Sequence, residues 1–304
     1  MSANWQKNGM VDLVSVIVPT YNNFDNLERN IESIYLQDYP RIEILVADDG
    51  SVDFPIGRFS KIVAKKPSSI VNFVCLRQPL NLGTVRNLNL AIEESSGEFI
   101  LPLFQDDTFF NECVVSKVVA LLQSHLVVTA KRVIEAESGD CLELPTLVQR
   151  KWMLEGGLYN KILWNENFIS GAVLYYRREA FAVFGPFDQS YRLLEDFPFV
   201  LKVVRQGLHI GFLDWPAIYY NVGGISSSLT KGSVLLNDLI LLYKREAFLN
   251  RGLSRRRLLF VSKIYESVNR GGFGIFGDLP VKLSFFDIWL LTRIKRFLNS
   301  FRAD

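Results

Sequence analysis

The chain has 304 residues, of which 49% are hydrophobic, 13% aromatic and 22% charged. This composition supplies enough apolar material for a sizeable core and excludes a chain that is disordered over most of its length. Its three cysteines contain no C-x-x-C pair, which argues against a disulfide scaffold and a cysteine-rich zinc site and suits a reducing cytoplasm. We expect no signal peptide, because the first fourteen residues lack its apolar region, and no transmembrane helix, because no apolar run approaches about 18 residues.

The net charge of +2 is the sum of two regions of opposite sign. Residues 231–304 carry 14 Lys and Arg against 6 Asp and Glu, whereas residues 1–230 carry 20 against 26. An acidic body suits the binding of a cation, and a basic tail suits contact with an anionic surface. This is not the charge distribution of a dedicated nucleic-acid-binding protein, so we expect no nucleic-acid partner.

Apolar runs and helical periodicities alternate along the first hundred residues. Buried strands are predicted at 14–18, 42–47, 71–76 and 99–104, and helices at 25–36 and 83–95. Strands that alternate with helices form right-handed crossovers. The fold class is therefore α/β, with a mostly parallel central sheet flanked by helices.

The second half of the chain is less regular. A helix is predicted at 112–124 and another after Glu195-Asp196, strands at 126–134, 170–176 and 209–213, and a loop-rich stretch at 138–168. From about residue 231 the sequence is apolar, basic and of helical character.

Polar residues follow three of the predicted strands. Pro19-Thr20-Tyr21-Asn22 follows the first strand, Asp48-Asp49-Gly50-Ser51 the second and Gln105-Asp106-Asp107 the fourth. Ligands of such sheets bind beyond the carboxyl ends of the strands. Each cluster alone suits a turn, but three clusters at one edge indicate a binding site.

Taken together, these motifs resemble the family 2 glycosyltransferases with the GT-A fold, which is Rossmann-like. The resemblance covers residues 12–230 and rests on these segments: 14–22, 43–51, 81–83 with Asn89, 97–100, 105–107, 195–196 and 223–226. It implies a GT-A domain at 1–230, with a nucleotide-binding half at 12–107 and an acceptor half at 108–230. Residues 231–304 form a helical, basic C-terminal extension outside the resemblance.

The resemblance implies an enzyme, an inverting hexosyltransferase that moves a sugar from a nucleotide diphosphate sugar to a saccharide hydroxyl in surface polysaccharide biosynthesis. Asp49 would hydrogen-bond the base, which favours uracil or thymine and hence a UDP- or dTDP-linked donor, and Tyr21 would stack on it. The other residues implied to contact the donor are Pro19, Thr20, Asn22, Arg86 and Ser226.

The resemblance also assigns a metal and a base. Asp107, with Asp106, would hold Mn²⁺ or Mg²⁺, because hard cations prefer carboxylate oxygens. Gln105 stands where the family has the first Asp of its motif, so Asp106 is assigned to the ribose or to the water shell of the metal. Asp196 would be the general base at a helix N-terminus, which favours the ionised form by about 0.3–1 kcal/mol. Glu195 would face the acceptor or lie beside it.

Two other functions stay open at this stage. A sugar-nucleotide nucleotidyltransferase generally needs a basic Gly-rich loop, and residues 19–26 contain no basic residue. A non-catalytic glycan-binding or interaction protein with the same fold is the other alternative.

The tail allows two interpretations. Residues 285–302 combine an apolar side with basic residues, which is typical of a helix on an anionic membrane surface. That placement gives a peripheral protein on the inner face of the membrane, near a lipid-linked acceptor. The alternative is packing on the body or on a second subunit, which would give a homodimer.

Overall fold

The structure, a computed structural model, describes residues 6–7, 10–135, 141–165, 167–221 and 232–270. The chain divides into two compact units, residues 1–224 and 225–304. The strands are β1 (Gln6–Lys7), β2 (Met10–Val11), β3 (Val14–Thr20), β4 (Ile42–Asp48), β5 (Ile70–Arg77), β6 (Phe99–Pro102), β7 (Thr108–Phe109), β8 (Val127–Glu135), β9 (Cys141–Leu144), β10 (Leu174–Arg177) and β11 (Gly211–Tyr219).

In the first unit, helices flank a central sheet formed by most of these strands; in the second unit, the described residues are helical. They are α1 (Leu27–Tyr35), α2 (Ile56–Ala64), α3 (Thr84–Glu94), α4 (Val114–Leu122), α5 (Leu147–Leu154), α6 (Leu158–Asn165), α7 (Glu179–Phe184), α8 (Asp196–Arg205), α9 (Val234–Leu249) and α10 (Gly252–Asn269). A single 3₁₀ turn at Gly171–Val173 leads into β10.

A central sheet of nine strands has the order β5-β4-β3-β6-β10-β8-β11-β7, with β9 paired to β8. The first four strands are parallel, and every residue of β3 and β4 is buried, as expected where helices cover both faces. Strand β10 runs antiparallel to β6 and β8, and β8 is parallel to β11. The predicted α/β class is confirmed, and every antiparallel pairing of this sheet involves β8, β10 or β11.

The predicted strands and helices before residue 108 are present as β3, α1, β4, β5, α3 and β6. Helix α2 was not predicted, and of its residues only Ile62 is buried. The stretch predicted to be loop-rich contains β9, α5 and α6. These elements are short, and of α5 only Met153 is buried. Strand β11 continues beyond the predicted end through Pro216, where its register with β8 shifts.

A buried polar cluster joins the amino ends of three parallel strands. Glu43 of β4 accepts hydrogen bonds from the hydroxyl of Ser15 at 2.6 Å and from the N–H groups of Ser96 and Gly97 at 2.6 and 3.0 Å. Gly97 has no room for a side chain, since a Cβ there would lie 2.4 Å from Ser15 Oγ. Because buried carboxylates are costly unless fully hydrogen-bonded, this cluster holds β3, β4 and the start of β6 together.

The described part of the second unit is an antiparallel pair of helices. Tyr243 and Tyr265 stack at 5.7 Å between centroids, Lys244 pairs with Glu266 at 2.6 Å, and Asn269 donates to Asn237 Oδ1. Over the residues that the structure describes, no helix is both long enough and apolar enough to cross a bilayer. The amphipathic segment 285–302 lies outside the described residues.

Candidate active site

The carboxyl ends of β3 and β4 meet at a turn that Asp48 organises. Asp48 lies opposite Thr20 in the parallel ladder and is fully buried. Its carboxylate accepts from the Thr20 hydroxyl at 3.4 Å, from the backbone N–H of Ser51 at 3.3 Å and from the Ser51 hydroxyl. Asp48 and Thr20 are thus engaged with each other, and they shape the edge on which the next residues stand.

Asp49 connects the end of β4 to the loop before α3. One carboxylate oxygen accepts from Leu82 N–H at 2.7 Å and the other from Gly83 N–H at 2.9 Å. Burial raises the pKa of Asp49, and these two hydrogen bonds act in the opposite direction. An ionised carboxylate has about four acceptor positions, so Asp49 can accept a further donor from a ligand.

The residues after β3 present one free aromatic ring. Pro19 and Thr20 are buried, whereas Tyr21 is 42% exposed. Asn22 adopts a positive φ of 51°, which Asn tolerates better than most residues. It braces the second loop, since its N–H donates to Ser51 Oγ at 2.8 Å and its Oδ1 accepts from Val52 at 3.2 Å.

A cleft of about 350 Å³ lies beside these loops, lined by Asn22, Phe24, Val52 and Asp53. Arg86 lies exposed on the first turn of α3. Ser226, the other predicted phosphate contact, lies outside the described residues.

Asp106 and Asp107 occupy the turn between β6 and β7. Asp107 is only 3% exposed, and its Oδ1 accepts from the backbone N–H of Asn221 at 3.0 Å. Asp106 is more exposed and accepts from Asn23 Nδ2 at 3.2 Å. The turn is held from below by Asn30 of α1, whose Nδ2 donates to the carbonyls of Phe104 and Asp107 at 2.9 and 2.7 Å.

The surroundings of Asp107 suit a bound cation. Burial raises its pKa to about 7; the Asn221 hydrogen bond and Arg132 act downward, and Asp106 acts upward. A nearby cation would favour the ionised form. Within the described parts of the chain, no group of three or more His, Cys, Asp or Glu side chains is placed to hold a metal. Two adjacent carboxylates fit a Mg²⁺-type ion that takes its other ligands from substrate phosphates and water.

Asp196 is the first residue of α8, and Glu195 precedes it as the N-cap. Its carboxylate accepts from Gly171 N–H at 2.9 Å, from Asn167 Nδ2 at 3.3 Å and from Phe197 N–H at 2.6 Å. Burial raises its pKa, while the backbone hydrogen bonds and Arg132 lower it. This carboxylate is therefore held in one orientation by the start of its own helix and by the 3₁₀ turn.

Arg132 of β8 is a further charged residue in the neighbourhood of the two carboxylates, and it was not predicted from the sequence. Burial lowers its pKa, while Tyr220, Asp196 and Asp107 all act to raise it. Its guanidinium lies over the ring of Tyr220, 5.1 Å from the centroid. Asp107 follows β6, and Gly171, which binds Asp196, precedes β10, the antiparallel neighbour of β6, so both carboxylates lie at the same edge of the sheet. The signal in the sequence was the pair of basic residues, Lys131 and Arg132, within a mainly apolar strand.

The fold and this site define the class of protein, a GT-A domain with acidic residues at the carboxyl edge of its sheet. Residues 15–185 match the family model described as glycosyl transferase family 2. Because this match covers more than half of the chain, the protein belongs to that family.

Similar proteins agree with this assignment. An uncharacterized glycosyltransferase of Haemophilus influenzae is 33% identical over 117 residues, or 38% of this chain and 45% of the relative. A second one from that organism is 28% identical over 211 residues, or 64% and 61%. The matches thus span 45% and 61% of these relatives' lengths. The PGL/p-HBAD biosynthesis glycosyltransferase of Mycobacterium tuberculosis is 23% identical over 225 residues, or 71% and 80%.

Two solved structures share the fold. Staphylococcus aureus TarS in complex with UDP-GlcNAc has a TM-score of 0.61 at 22% identity, covering 88% of this chain and 78% of that one. The mannosyltransferase PcManGT from Pyrobaculum calidifontis, in complex with GDP-Man and Mn²⁺, has a TM-score of 0.58 at 16% identity, covering 95% and 84%.

Proposed function

We propose that this protein transfers a sugar from a nucleoside diphosphate sugar to a hydroxyl of a saccharide acceptor, with inversion at the anomeric carbon, in the synthesis of a surface polysaccharide. The observation that carries the proposal is that two hydrogen-bonded carboxylates lie at one edge of the sheet. Asp107 stands in the turn after β6 and accepts from Asn221 N–H, whereas Asp196 accepts from Gly171 N–H in the turn before β10, the antiparallel neighbour of β6. A carboxylate for a cation and a second one for a base at the same edge suit a displacement at one carbon.

The donor base is a pyrimidine in this proposal. Asp49 has acceptor positions left after binding Leu82 and Gly83, and an imide N–H of uracil or thymine is a donor that matches them. The exposed ring of Tyr21 offers a face for stacking. The likeness to TarS with UDP-GlcNAc supports this choice. Because PcManGT was solved with GDP-Man, the donors compared below include GDP-sugars.

Asp107, assisted by Asp106, would hold Mn²⁺ or Mg²⁺. When bound, the cation neutralises the charge that gathers on the departing diphosphate. The chain itself contributes the fixed position of the turn, through Asn30, and the low exposure of Asp107.

Asp196 acts as the general base. The acceptor oxygen attacks the anomeric carbon and its proton passes to the Asp196 carboxylate, while the bond from that carbon to the phosphate oxygen breaks and its electron pair leaves with the diphosphate. One displacement inverts the carbon. The first turn of α8 and Gly171 N–H keep the carboxylate oriented, and a positioned base contributes about 10²–10⁴-fold.

The proposal is tested with the full-length protein and a panel of UDP-, dTDP- and GDP-sugars, with Mn²⁺, Mg²⁺ or EDTA. We expect release of one nucleoside diphosphate that requires a divalent cation and is lost in Asp107→Ala. NMR of the product should show the anomeric configuration opposite to that of the donor. Full activity in EDTA would contradict the metal site at Asp107. Retention of the donor's anomeric configuration would contradict a single displacement with Asp196 as the general base.

We also propose that the basic region 231–304 attaches to an anionic membrane surface, near a lipid-linked acceptor on the cytoplasmic side. At the junction of α9 and α10, Phe248, Leu249 and Leu253 are 82%, 56% and 59% exposed. Residues 247–265 contain five basic and no acidic side chains. Each basic residue near such a surface contributes about 1 kcal/mol, and exposed apolar side chains can enter the headgroup region.

Vesicle sedimentation separates this proposal from dimerisation. The double variant Phe248→Ser, Leu253→Ser should lose binding to phosphatidylglycerol vesicles, whereas Leu147→Ser, an exposed leucine of α5, should not. Vesicle binding that does not depend on the content of anionic lipid would contradict the proposal. Conversion of a dimer to a monomer by the double variant, seen by light scattering, would assign these side chains to a homodimer interface.

A further inference from the structure

Arg132 has a guanidinium whose hydrogen bonds are not completed by the residues that the structure describes. Its Nε–H is buried without a partner, and within the described residues no ion pair or side-chain hydrogen bond engages the group. Its neighbour Lys131 is different, since its ammonium pairs with Glu143 at 3.0 Å and with Asp214 at 3.4 Å. Lys131 is thus paired with two carboxylates, whereas Arg132, the next residue of the strand, has no such partner in the described part of the chain.

The position of Arg132 is fixed even though its donors are unpaired. Its strand pairs with β9 at Leu144 and with β11 at Ile218, and the ring of Tyr220 lies against the guanidinium. A guanidinium is weakly hydrated and stacks on aromatic rings, so it tolerates such a setting better than an ammonium. A buried hydrogen-bond donor without a partner lowers the stability of the fold. The unpaired Nε–H of Arg132 therefore indicates a ligand that accepts its hydrogen bond.

We propose that Arg132 forms an anion subsite that hydrogen-bonds the phosphate group bearing the transferred sugar. This inference rests on the proposed function. Among the described residues, neither Asp107 nor Asp196 forms an ion pair with Arg132, so its buried Nε–H is left for a ligand. A phosphate, which only accepts hydrogen bonds, would complete this donor, and a planar guanidinium matches its oxygens.

The subsite would contribute most as the reaction proceeds. The bond between the anomeric carbon and the phosphate oxygen breaks, and its electron pair stays on that oxygen. The N–H groups of Arg132 donate to this growing charge from a position that needs no rearrangement, since Tyr220 already fixes the guanidinium. Removal of Arg132 should therefore lower kcat more than it lowers donor affinity.

The test compares Arg132→Met and Arg132→Lys with Lys131→Met as the matched control. Titration calorimetry with Mn²⁺ measures binding of UDP, dTDP and GDP and of the corresponding monophosphates. Arg132→Met should lower the affinity for the diphosphate about tenfold and change the affinity for the monophosphate by no more than about twofold. It should lower kcat by about 10²–10³-fold. Arg132→Lys should recover part of both losses, and Lys131→Met should bind nucleotides as the wild type does.

Three outcomes would overturn the subsite. In one, Arg132→Met turns over and binds diphosphate like the wild type, in which case the proposed function stands without it. In another, Arg132→Met lowers the affinities for mono- and diphosphates equally, which would mean that Arg132 contacts the nucleoside or only stabilises the fold. A wild-type protein that binds no nucleoside diphosphate would remove the subsite and the proposed function together. Melting temperatures of all variants show whether each protein is folded.

Discussion

Gly171 donates its backbone N–H to the carboxylate of Asp196 at 2.9 Å and leaves no space for a side chain between the two residues. A Cβ at position 171 would lie 3.1 Å from Asp196 Cβ and 2.8 Å from Glu195 Oε1. Glycine is thus favoured here by close approach, because any side chain at position 171 would have to displace Glu195 and Asp196 slightly.

Gly171→Ala should impair transfer without unfolding the protein. Its methyl group would push Asp196 by a few tenths of an ångström, and displacements of about 1 Å in catalytic groups cost on the order of 10²-fold. We expect a loss of about tenfold in kcat with a melting temperature close to that of the wild type.

The matched control for this variant is Gly156→Ala, where an added Cβ meets nothing within 4 Å. Equal kcat values in the two variants would show that Asp196 does not need its present position.

Asp196→Asn should lower kcat by about 10²–10⁴-fold while nucleotide binding stays near that of the wild type. The side chain keeps its size but accepts no proton. Burial raises the pKa of Asp196, so the acidic limb of the wild-type kcat/KM profile should lie above the usual Asp pKa of about 3.9. Activity is lost as the pH falls through this limb, because a base must be ionised.

A pH profile of Asp196→Asn that kept the same acidic limb would assign that limb to another group. Turnover within a few-fold of the wild type would move the base elsewhere.

Asp107 should make the cation-free protein less stable as the pH rises. Its carboxyl has a pKa of about 7 in the folded protein against an ordinary value of 3.8, so folding favours the protonated form. The free energy of unfolding should fall between these two pH values by an amount on the order of 4 kcal/mol at most. Asp107→Asn lacks this titration and should be the more stable protein at pH 8.

Thermal melts at pH 5 and pH 8 in EDTA measure the difference, with Asp106→Asn as the control at the more exposed neighbour. Mn²⁺ should raise the melting temperature of the wild type at pH 8 and not that of Asp107→Asn. A wild-type protein that melts at the same temperature at both pH values would contradict the burial of an ionised Asp107.

Asn30→Ala should destabilise the protein by about 1–3 kcal/mol, because the carbonyls of Phe104 and Asp107 lose their shared donor inside the fold. The turn that carries Asp107 would loosen, so cation-dependent nucleotide binding should weaken as well. Urea unfolding and calorimetry measure the two effects.

Asn26→Ala is the control, since Asn26 precedes the same helix and makes no side-chain capping bond. An Asn30→Ala protein as stable as Asn26→Ala would show that the two hydrogen bonds from Asn30 do not stabilise the fold.

Sequence patterns predicted the parts of this fold that bury long apolar runs, such as β3 and β4, and they failed where an element is short or buries little, as in α2 and α5. The polar clusters at the strand ends were visible because they follow strong strands. Arg132 and Gly171 were not visible as site residues, since their partners are distant in sequence and only the folded chain brings them together. The roles of Asp49, Asp107 and Asp196 stay predictions.

The hydrogen bond between Ser15 and Glu43 has a consequence at the opposite edge of the sheet. Ser15 faces Glu43 and Thr20 faces Asp48 in one uninterrupted parallel ladder. A slip of one residue between the strands would turn each side chain to the wrong face and leave the Glu43 carboxylate buried beside no donor. Misaligned pairings are thereby selected against during folding. The relative positions of Tyr21, Asp49 and Asp107 along the sheet edge thus depend on residues at the opposite edge. Substitution of Ser15 or Gly97 would alter the donor site by changing the register of the strands.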